Sequence, residues 1–275
     1  MKKIKTLAFI LVFLVKTTFS QILWVDNFQV AKQLAAANNK LILIDFWAEW
    51  CGPCKLMESD LWKLPEVVSA SRNFIPVKIN TDYDPSTASD YGVKGIPMVA
   101  LVTCTGELIW SNVGYRHPSD YVAILKSVPG EVASLNSALL AGKNTKDADE
   151  LFQLGIEYQD VGKVIPNDVL RSSFLAKSNA ALSKSGKAAK EITATLKAEL
   201  FSILNDVYLG RTKNAIKRIG KAVVPDSDKE LNNLKHLILA GCFKLEGDQA
   251  RSDQEKQLIS DEEFREELDR LGASK

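Results

Sequence analysis

The sequence predicts an α/β domain with a mixed sheet flanked by helices, followed by an all-α domain of helical hairpins. Three observations support this fold class. Strand-like apolar runs alternate with helical stretches in the first half of the chain. A hairpin pattern over residues 97–114 then adds antiparallel strands, which makes the sheet mixed. Beyond residue 130 the strand-like runs disappear and helical periodicity takes over.

The elements of the α/β part can be assigned in order. A first helix has Asp26 or Asn27 as its cap and ends at an Asn pair. Residues 41–47 are apolar on both faces, which is typical of a central strand covered by helices. A helix begins at Cys51 and breaks at Pro65. A strand, a short helix, a hairpin of two strands and a closing helix follow, at residues 73–82, 85–93, 97–103 with 107–114, and 117–128.

The all-α part is predicted from three apolar stripes, which lie within residues 192–207, 231–245 and 264–271. The first stripe begins at Ile192. Ser227 and Ser260 each start an S-x-x-E sequence, the form of a capping box. We expect six or seven helices, stacked as hairpins.

Residues 151–158 fit the L-G-x-x-Y core of the tetratricopeptide repeat, but no second copy follows 34 residues later. Two interpretations stay open: a repeat-like array, or irregular antiparallel helices. Repeat arrays often present concave binding surfaces, so a partner-binding role is a hypothesis for this domain.

The first twenty residues have the pattern of a secretory signal peptide. Lys2, Lys3 and Lys5 precede an apolar run at residues 7–15, and small residues precede a cleavage point after Ser20. The run is too short to span a membrane, which needs about 20 apolar residues. We therefore predict a signal peptide at residues 1–20, an α/β domain at 21–129 and a helical domain at 130–275. The protein is expected to be exported, to a periplasm or cell envelope, without stable membrane insertion.

Charge excludes one class of partner. Removal of residues 1–20 takes away four lysines and no acidic residue, so the formal net charge falls from +1 to −3. Nucleic-acid binding needs a clustered basic surface, so it is not expected. Disulfides persist in exported proteins, which makes the four cysteines informative.

Cys51 and Cys54 form a C-x-x-C pair at the start of a helix. The helix N-terminus stabilises a thiolate, so Cys51 is the expected nucleophile. Cys54, expected to be the more enclosed of the two, can attack the mixed disulfide and release the partner. A permanent structural disulfide and a zinc site are the alternatives. The loop that such a disulfide would close is short, so it would add little stability. A zinc site would need a second close pair of Cys or His, which the sequence lacks. The other candidate ligands, Cys104, Cys242, His117 and His236, are scattered singly; the two cysteines are buried thiols or a bridge between the domains.

Asp45 lies in the predicted central strand between apolar neighbours. Burial disfavours the charged form and raises a carboxyl pKa, so Asp45 can take the proton from Cys54 as that thiol attacks. A solvated carboxylate at the sheet edge is the alternative.

The stretch "ILIDFWAEWCGPCK" resembles the active-site segment of the thioredoxin family, and the resemblance extends over about residues 23–128. It implies the thioredoxin fold, with Cys51 as attacking thiol, Cys54 as resolving thiol and Asp45 as buried proton acceptor. Lys78 would lie near Asp45 and tune its charge. Pro97 matches the cis-proline of the family. The implied substrate-contact surface consists of Trp50, Gly52, Pro53, Gly95, Ile96, Pro97 and Gly114, with Trp47 beside it.

The resemblance implies a thiol-disulfide oxidoreductase whose only redox group is its own Cys51–Cys54 disulfide, without a further cofactor. Gly52-Pro53 matches reducing thioredoxins, so we expect reduction of disulfide- or thiol-containing proteins, with electrons supplied through a membrane donor. Oxidase or isomerase activity is one alternative. A client-binding or folding-assistance module, in which the helical domain binds partners, is the other.

Overall fold

The computed structural model describes residues 21–142 and 144–271. The predicted signal peptide lies outside these residues. The predicted fold class is confirmed: a four-stranded mixed sheet with flanking helices occupies the N-terminal part, and helices make up the rest.

The α/β part contains the eight predicted elements in order and one more, because the helix after the cysteines ends at Asp60 and a separate helix begins at Pro65. The first helix is capped by Asn27, whose side chain accepts a hydrogen bond from the Val30 backbone N–H. The elements are α1 (Phe28–Ala37), β1 (Leu41–Trp47), α2 (Gly52–Asp60), α3 (Pro65–Ser71), β2 (Phe74–Asn80), α4 (Pro85–Asp90), β3 (Met98–Val102), β4 (Leu108–Val113) and α5 (Pro118–Ser127).

The sheet has the strand order β2-β1-β3-β4, with β1 parallel to β2 and antiparallel to β3. Strand β1 is central and almost wholly buried, as its continuous apolar run predicts. Phe46 pairs with Met98, and Met98 pairs with Val113. The end of β1, the start of β3 and the end of β4 therefore lie at the same end of the sheet. We call this end the cysteine end of the sheet, and we call the opposite end, where the β3–β4 turn lies, the hairpin end.

Eight helices follow within the described residues. They are α6 (Ala133–Ala141), α7 (Ala148–Val164), α8 (Asp168–Ala188), α9 (Ile192–Tyr208), α10 (Thr212–Ile219), α11 (Lys229–Glu246), α12 (Gln249–Leu258) and α13 (Glu262–Arg270). A second hydrophobic cluster, formed largely by α9, α10, α11 and α13, holds the later helices together.

Three details of the predicted helices are wrong. Eight helices lie in the described residues of this part, where six or seven were expected. The caps of α11 and α13 are Asp228 and Asp261, each one residue after the predicted serine, and their carboxylates accept the backbone N–H of Leu231 and Phe264. Ile192, placed in an apolar stripe, is 86% exposed at the first turn of α9. The stripe begins to be buried only further along this helix, at Leu196, which is partly buried against the second hydrophobic cluster.

Helices α7 and α8 form a closely packed hairpin. A methyl group at Gly155 would lie 2.7 Å from Leu182 Cγ, so only glycine allows this approach. Tyr158, the last residue of the L-G-x-x-Y stretch, is fully buried. The hairpin explains why this stretch has small and aromatic residues at these positions. A repeat array stays a prediction.

The helical part joins the sheet at the hairpin end. The Val132 backbone N–H donates to the Asn39 carbonyl (2.8 Å), just before β1 begins. Asn136 Nδ2 donates to the carbonyl of Ala35 (3.1 Å) at the end of α1. The hydrophobic core of the sheet also continues past residue 129, through side chains on α6, α7 and α8. The domain boundary after residue 129 stays a prediction.

Candidate active site

The two cysteines of the C-x-x-C pair lie where β1 passes into α2. Cys51 is the N-cap of α2 and Pro53 occupies its first turn. The two sulfurs are joined in a disulfide, and the Cys54 backbone N–H donates to Cys51 Sγ at 3.2 Å. In the reduced form the same N–H and the helix N-terminus would stabilise a thiolate on Cys51. The expected difference in enclosure is wrong for this oxidised form, since Cys51 is 3% exposed and Cys54 7%.

The cysteine end of the sheet brings the predicted contact residues together. Ile96 packs against the two cysteines, and the Ile96–Pro97 peptide bond is cis. The Gly114 backbone N–H donates to the carbonyl of Pro97 at 2.7 Å, and Gly114 has φ +85°, which favours glycine. A side chain at Gly95 would contact Val113. The β3 and β4 ends therefore form one continuous surface beside the disulfide.

The two tryptophans that flank the motif have different environments. Trp50 is 70% exposed, and its indole N–H donates to Asp82 Oδ2 at 2.9 Å. Trp47 is half-buried and packs against the cysteine pair. Trp50 therefore offers an aromatic surface that an incoming protein can contact. Gly52 faces open space.

Asp45 lies in the middle of the buried strand, 3% exposed. Burial is the main cause that raises the pKa of its carboxyl from 3.8 to about 6, and the nearby charge of Glu58 acts in the same direction. The Lys78 ammonium and a hydrogen bond from the Trp62 indole oppose this shift. The carboxyl is therefore poised to exchange a proton near neutral pH, although its role in the reaction stays a prediction.

Lys78 pairs with Asp45 across the β1–β2 register, and its Nζ lies 3.8 Å from Asp45 Oδ2. The same ammonium forms a close ion pair with Glu58 on α2. It also lies 5.1 Å from the ring centre of Trp24 and 5.5 Å from that of Trp47. Lys78 is thus held beside Asp45, but its charge is shared with Glu58.

Sequence reasoning missed Glu58 and Trp62. Glu58 follows Cys54 by four residues, so helical spacing places it one turn further along α2. Trp62 stands in a short segment between α2 and α3, where nothing in the local pattern indicates a contact with β1. Only the tertiary packing of this segment against the sheet brings the indole to Asp45.

The remaining cysteines and histidines lie apart from this site. Cys104 and Cys242 are free and buried, and burial raises the pKa of both thiols, that of Cys242 to about 12. His117 caps α5, and His236 Nδ1 lies 2.7 Å from Glu255. Within residues 21–142 and 144–271, no three His, Cys, Asp or Glu side chains are grouped so as to hold a metal ion. Nor does any helix in this part of the chain have the length and apolar character to cross a membrane.

A disulfide at the N-terminus of a helix, on a mixed sheet and beside a cis-proline, defines a redox-active protein of the thiol-disulfide exchange class. The family model for thioredoxin matches residues 21–127. Thioredoxin of Buchnera aphidicola is 38% identical over 85 residues, which are 31% of this chain and 75% of that protein. Thioredoxin of Bacillus subtilis is 38% identical over 82 residues, 30% of this chain and 76% of that protein.

Among solved structures, the oxidised form of mitochondrial thioredoxin 3 from Saccharomyces cerevisiae is similar at 30% identity. The similarity covers 38% of this chain and 93% of that one, with a TM-score of 0.32. The chain belongs to the thioredoxin family. It is a thiol-disulfide oxidoreductase, and the family similarity ends before the helical part begins.

Proposed function

We propose that this protein is an exported reductase of protein disulfides. The observation that carries the proposal is the Cys51-Gly52-Pro53-Cys54 pair, whose first sulfur caps α2 and accepts the Cys54 N–H. In the dithiol form Cys51 attacks a substrate disulfide, and Cys54 then resolves the mixed disulfide. The Gly-Pro pair between the cysteines supports the reducing direction, since it matches the reducing members of the family.

The arrangement of the helical part supports a protein substrate. The hydrogen bonds that join it to the sheet lie at the hairpin end, away from the disulfide. The surface formed by Trp50, Ile96 and Gly114 can therefore receive an extended segment of another protein. Backbone groups beside Pro97 would pair with that segment as with an added strand.

Export is supported by the sequence of residues 1–20, which has the order of a signal peptide: a charged start, an apolar run and small residues before a cut. A reductase in the periplasm or cell envelope has no direct access to cytosolic reductant. We therefore propose a membrane protein as its electron donor.

A redox titration of the mature protein tests the direction. The protein is equilibrated in thiol-disulfide buffers, and the transition is followed by the fluorescence of Trp47 and Trp50, which lie beside the disulfide. A two-electron transition in the range of reducing thioredoxins supports the proposal. A transition in the range of the oxidising family members would contradict it and indicate formation or isomerisation of disulfides.

Client binding by the helical part is a second candidate function. A cleft of about 840 Å³ is lined by α7, α8, α9, α11, α13 and the loop before α10. Four cationic and two acidic side chains line it, together with apolar ones such as Val207 and Leu245. Binding of unfolded clients by a Cys51→Ser variant, measured by suppression of aggregation, would support this function independently of redox activity.

A further inference from the structure

Trp62 is fixed in place by its surroundings. Its side chain is buried, in the turn that follows α2. The ring of Trp24 meets it edge-on with centres 5.1 Å apart, and the ring of Tyr121 lies tilted at 6.3 Å. An indole held between two aromatic rings has one direction in which its N–H can point.

That direction is toward the buried carboxylate. Trp62 Nε1 donates a hydrogen bond of 3.0 Å to Asp45 Oδ2, the oxygen that also lies nearest to the Lys78 ammonium. The other oxygen, Oδ1, is fully buried and has no hydrogen-bond partner within the part of the chain that the structure describes. One carboxylate oxygen therefore accepts a hydrogen bond from the indole and faces the ammonium, and the other is left able to accept a proton.

We infer that Trp62 is a positioning residue for disulfide exchange: by donating to Oδ2 it orients Asp45 so that Oδ1 receives the proton of the Cys54 thiol. This inference rests on the proposed function, in which Asp45 is the proton acceptor. Trp62 itself touches neither substrate nor sulfur in this role; it acts through Asp45.

The proton of Cys54 passes to Asp45 Oδ1, and the Cys54 sulfur attacks the Cys51 sulfur of the mixed disulfide. A bond forms between Cys51 and Cys54, and the bond between Cys51 and the substrate sulfur breaks. The substrate leaves as a thiolate, reduced by the two electrons that the two cysteines lose.

Three ionisable side chains face Asp45 from the elements around it. Lys78 lies on β2 and Glu58 on α2, and they pair with each other. Tyr121, on α5, is close enough for the charge of Asp45 to raise the pKa of its hydroxyl further, although burial is the main cause. Trp62 differs from all three because its N–H remains a donor at every pH used in an assay.

Replacement of Trp62 by phenylalanine tests the inference. Trp62→Phe keeps an aromatic ring but removes the donor, so the ionised carboxylate loses a hydrogen bond. We expect the titration of Asp45 in the reduced protein, followed by its infrared carboxyl band, to move up by about one pH unit. The acid limb of the pH profile for resolution of the mixed disulfide should move up with it. The resolution rate near pH 6 should therefore fall roughly fivefold.

Trp110→Phe is the matched control. Trp110 is also buried and meets Tyr121 edge-on at 6.5 Å, but it does not donate to Asp45. Its replacement should leave the Asp45 titration unchanged. An equal shift in both variants, or none in Trp62→Phe, would overturn the inference. So would a rate loss on adding Trp62→Phe to Asp45→Asn, since the proton acceptor is then already absent.

The unaltered protein provides a second test, which does not depend on the folding of any variant. The indole ¹⁵N–H resonance of Trp62 should titrate with the same midpoint as the Asp45 carboxyl, and the titration should vanish in Asp45→Asn. A Trp62 resonance that does not follow Asp45 would contradict the inference. Because both titrations need no substrate, they can succeed even if the protein proves to be an oxidase, which separates this inference from the proposed function.

Discussion

Lys177 on α8 forms an ion pair of 2.7 Å with Glu107 in the β3–β4 hairpin, and the Tyr158 hydroxyl on α7 donates to the other oxygen of the same carboxylate. One side chain of the α/β part thus holds two helices of the helical part. Tyr158 is fully buried, so its hydroxyl would be left without a partner if Glu107 were lost.

Tyr158→Phe should therefore lower the free energy of unfolding. Removal of a buried hydroxyl that is bonded to a carboxylate costs roughly 1–2 kcal/mol. Urea unfolding followed by circular dichroism measures the change. The control is Tyr83→Phe, since Tyr83 is exposed and its loss should cost less than about 0.5 kcal/mol. Equal effects in the two variants would contradict a stabilising role for the contact with Glu107.

Gly155→Ala should destabilise the α7–α8 hairpin, because the new methyl group would lie 2.7 Å from Leu182 Cγ and 3.3 Å from its backbone nitrogen. Overpacking of this kind costs roughly 1–3 kcal/mol. Gly186→Ala on α8 is the matched control: its methyl group would meet atoms only at 3.8 Å. There the helix propensity of alanine should stabilise the protein by up to about 1 kcal/mol. Thermal unfolding of the two variants should move in opposite directions.

Asp45→Asn should make the folded protein more stable at neutral pH. The pKa of Asp45 is raised from 3.8 to about 6 on folding, so the folded state binds the proton more tightly than the unfolded state. The stability that protonation supplies is complete below pH 3.8 and is lost as the pH rises to about 6. Above that pH the ionised, buried carboxylate costs roughly 2–3 kcal/mol, which asparagine avoids.

Urea unfolding at several pH values between 4 and 8 measures this effect. The gain from Asp45→Asn should be small near pH 4, grow up to about pH 6 and then level off. Asp90→Asn changes an exposed carboxylate on α4 and serves as the comparison. A gain in stability that does not depend on pH would show that burial does not raise the pKa of the Asp45 carboxyl.

The two cysteines should respond differently to replacement. Cys51→Ser should abolish turnover of a protein disulfide substrate, because the attacking sulfur is absent. Cys54→Ser should allow the first attack but not the resolution, so that a covalent mixed disulfide accumulates and can be seen on a non-reducing gel. Accumulation of the adduct in Cys51→Ser instead would reverse the assigned order of the two thiols.

Much of the α/β part could be predicted because its signals are local. The continuous apolar run of β1 indicates a central strand, and the segment from Cys51 was predicted as a helix start; both lie where expected. The contact of Trp62 with Asp45 could not be predicted, because the two residues are 17 positions apart and meet only through packing. Glu58 was missed for a similar reason, since it lies on α2 and its partner Lys78 lies on β2, 20 positions further along the chain.

The helical part was predictable in kind but not in detail. Apolar stripes indicate helices whether or not their first turn is covered, so the exposure of Ile192 could not be read from spacing. Ser227 and Asp228 are both good caps, and only the backbone geometry selects the aspartate. How the helices join the α/β part also involves contacts such as that of Asn136 with Ala35 on α1, which carry no sequence pattern.

The core of the sheet includes side chains as far along the chain as Leu170 and Phe174, well past the last residue that resembles thioredoxin. During synthesis the redox fold therefore cannot complete its core until α8 has been made. A fragment that ends at residue 129 would leave the apolar positions that contact α6, α7 and α8 open to water. Shortened forms of this protein should accordingly retain α6, α7 and α8, whose side chains complete the first hydrophobic cluster.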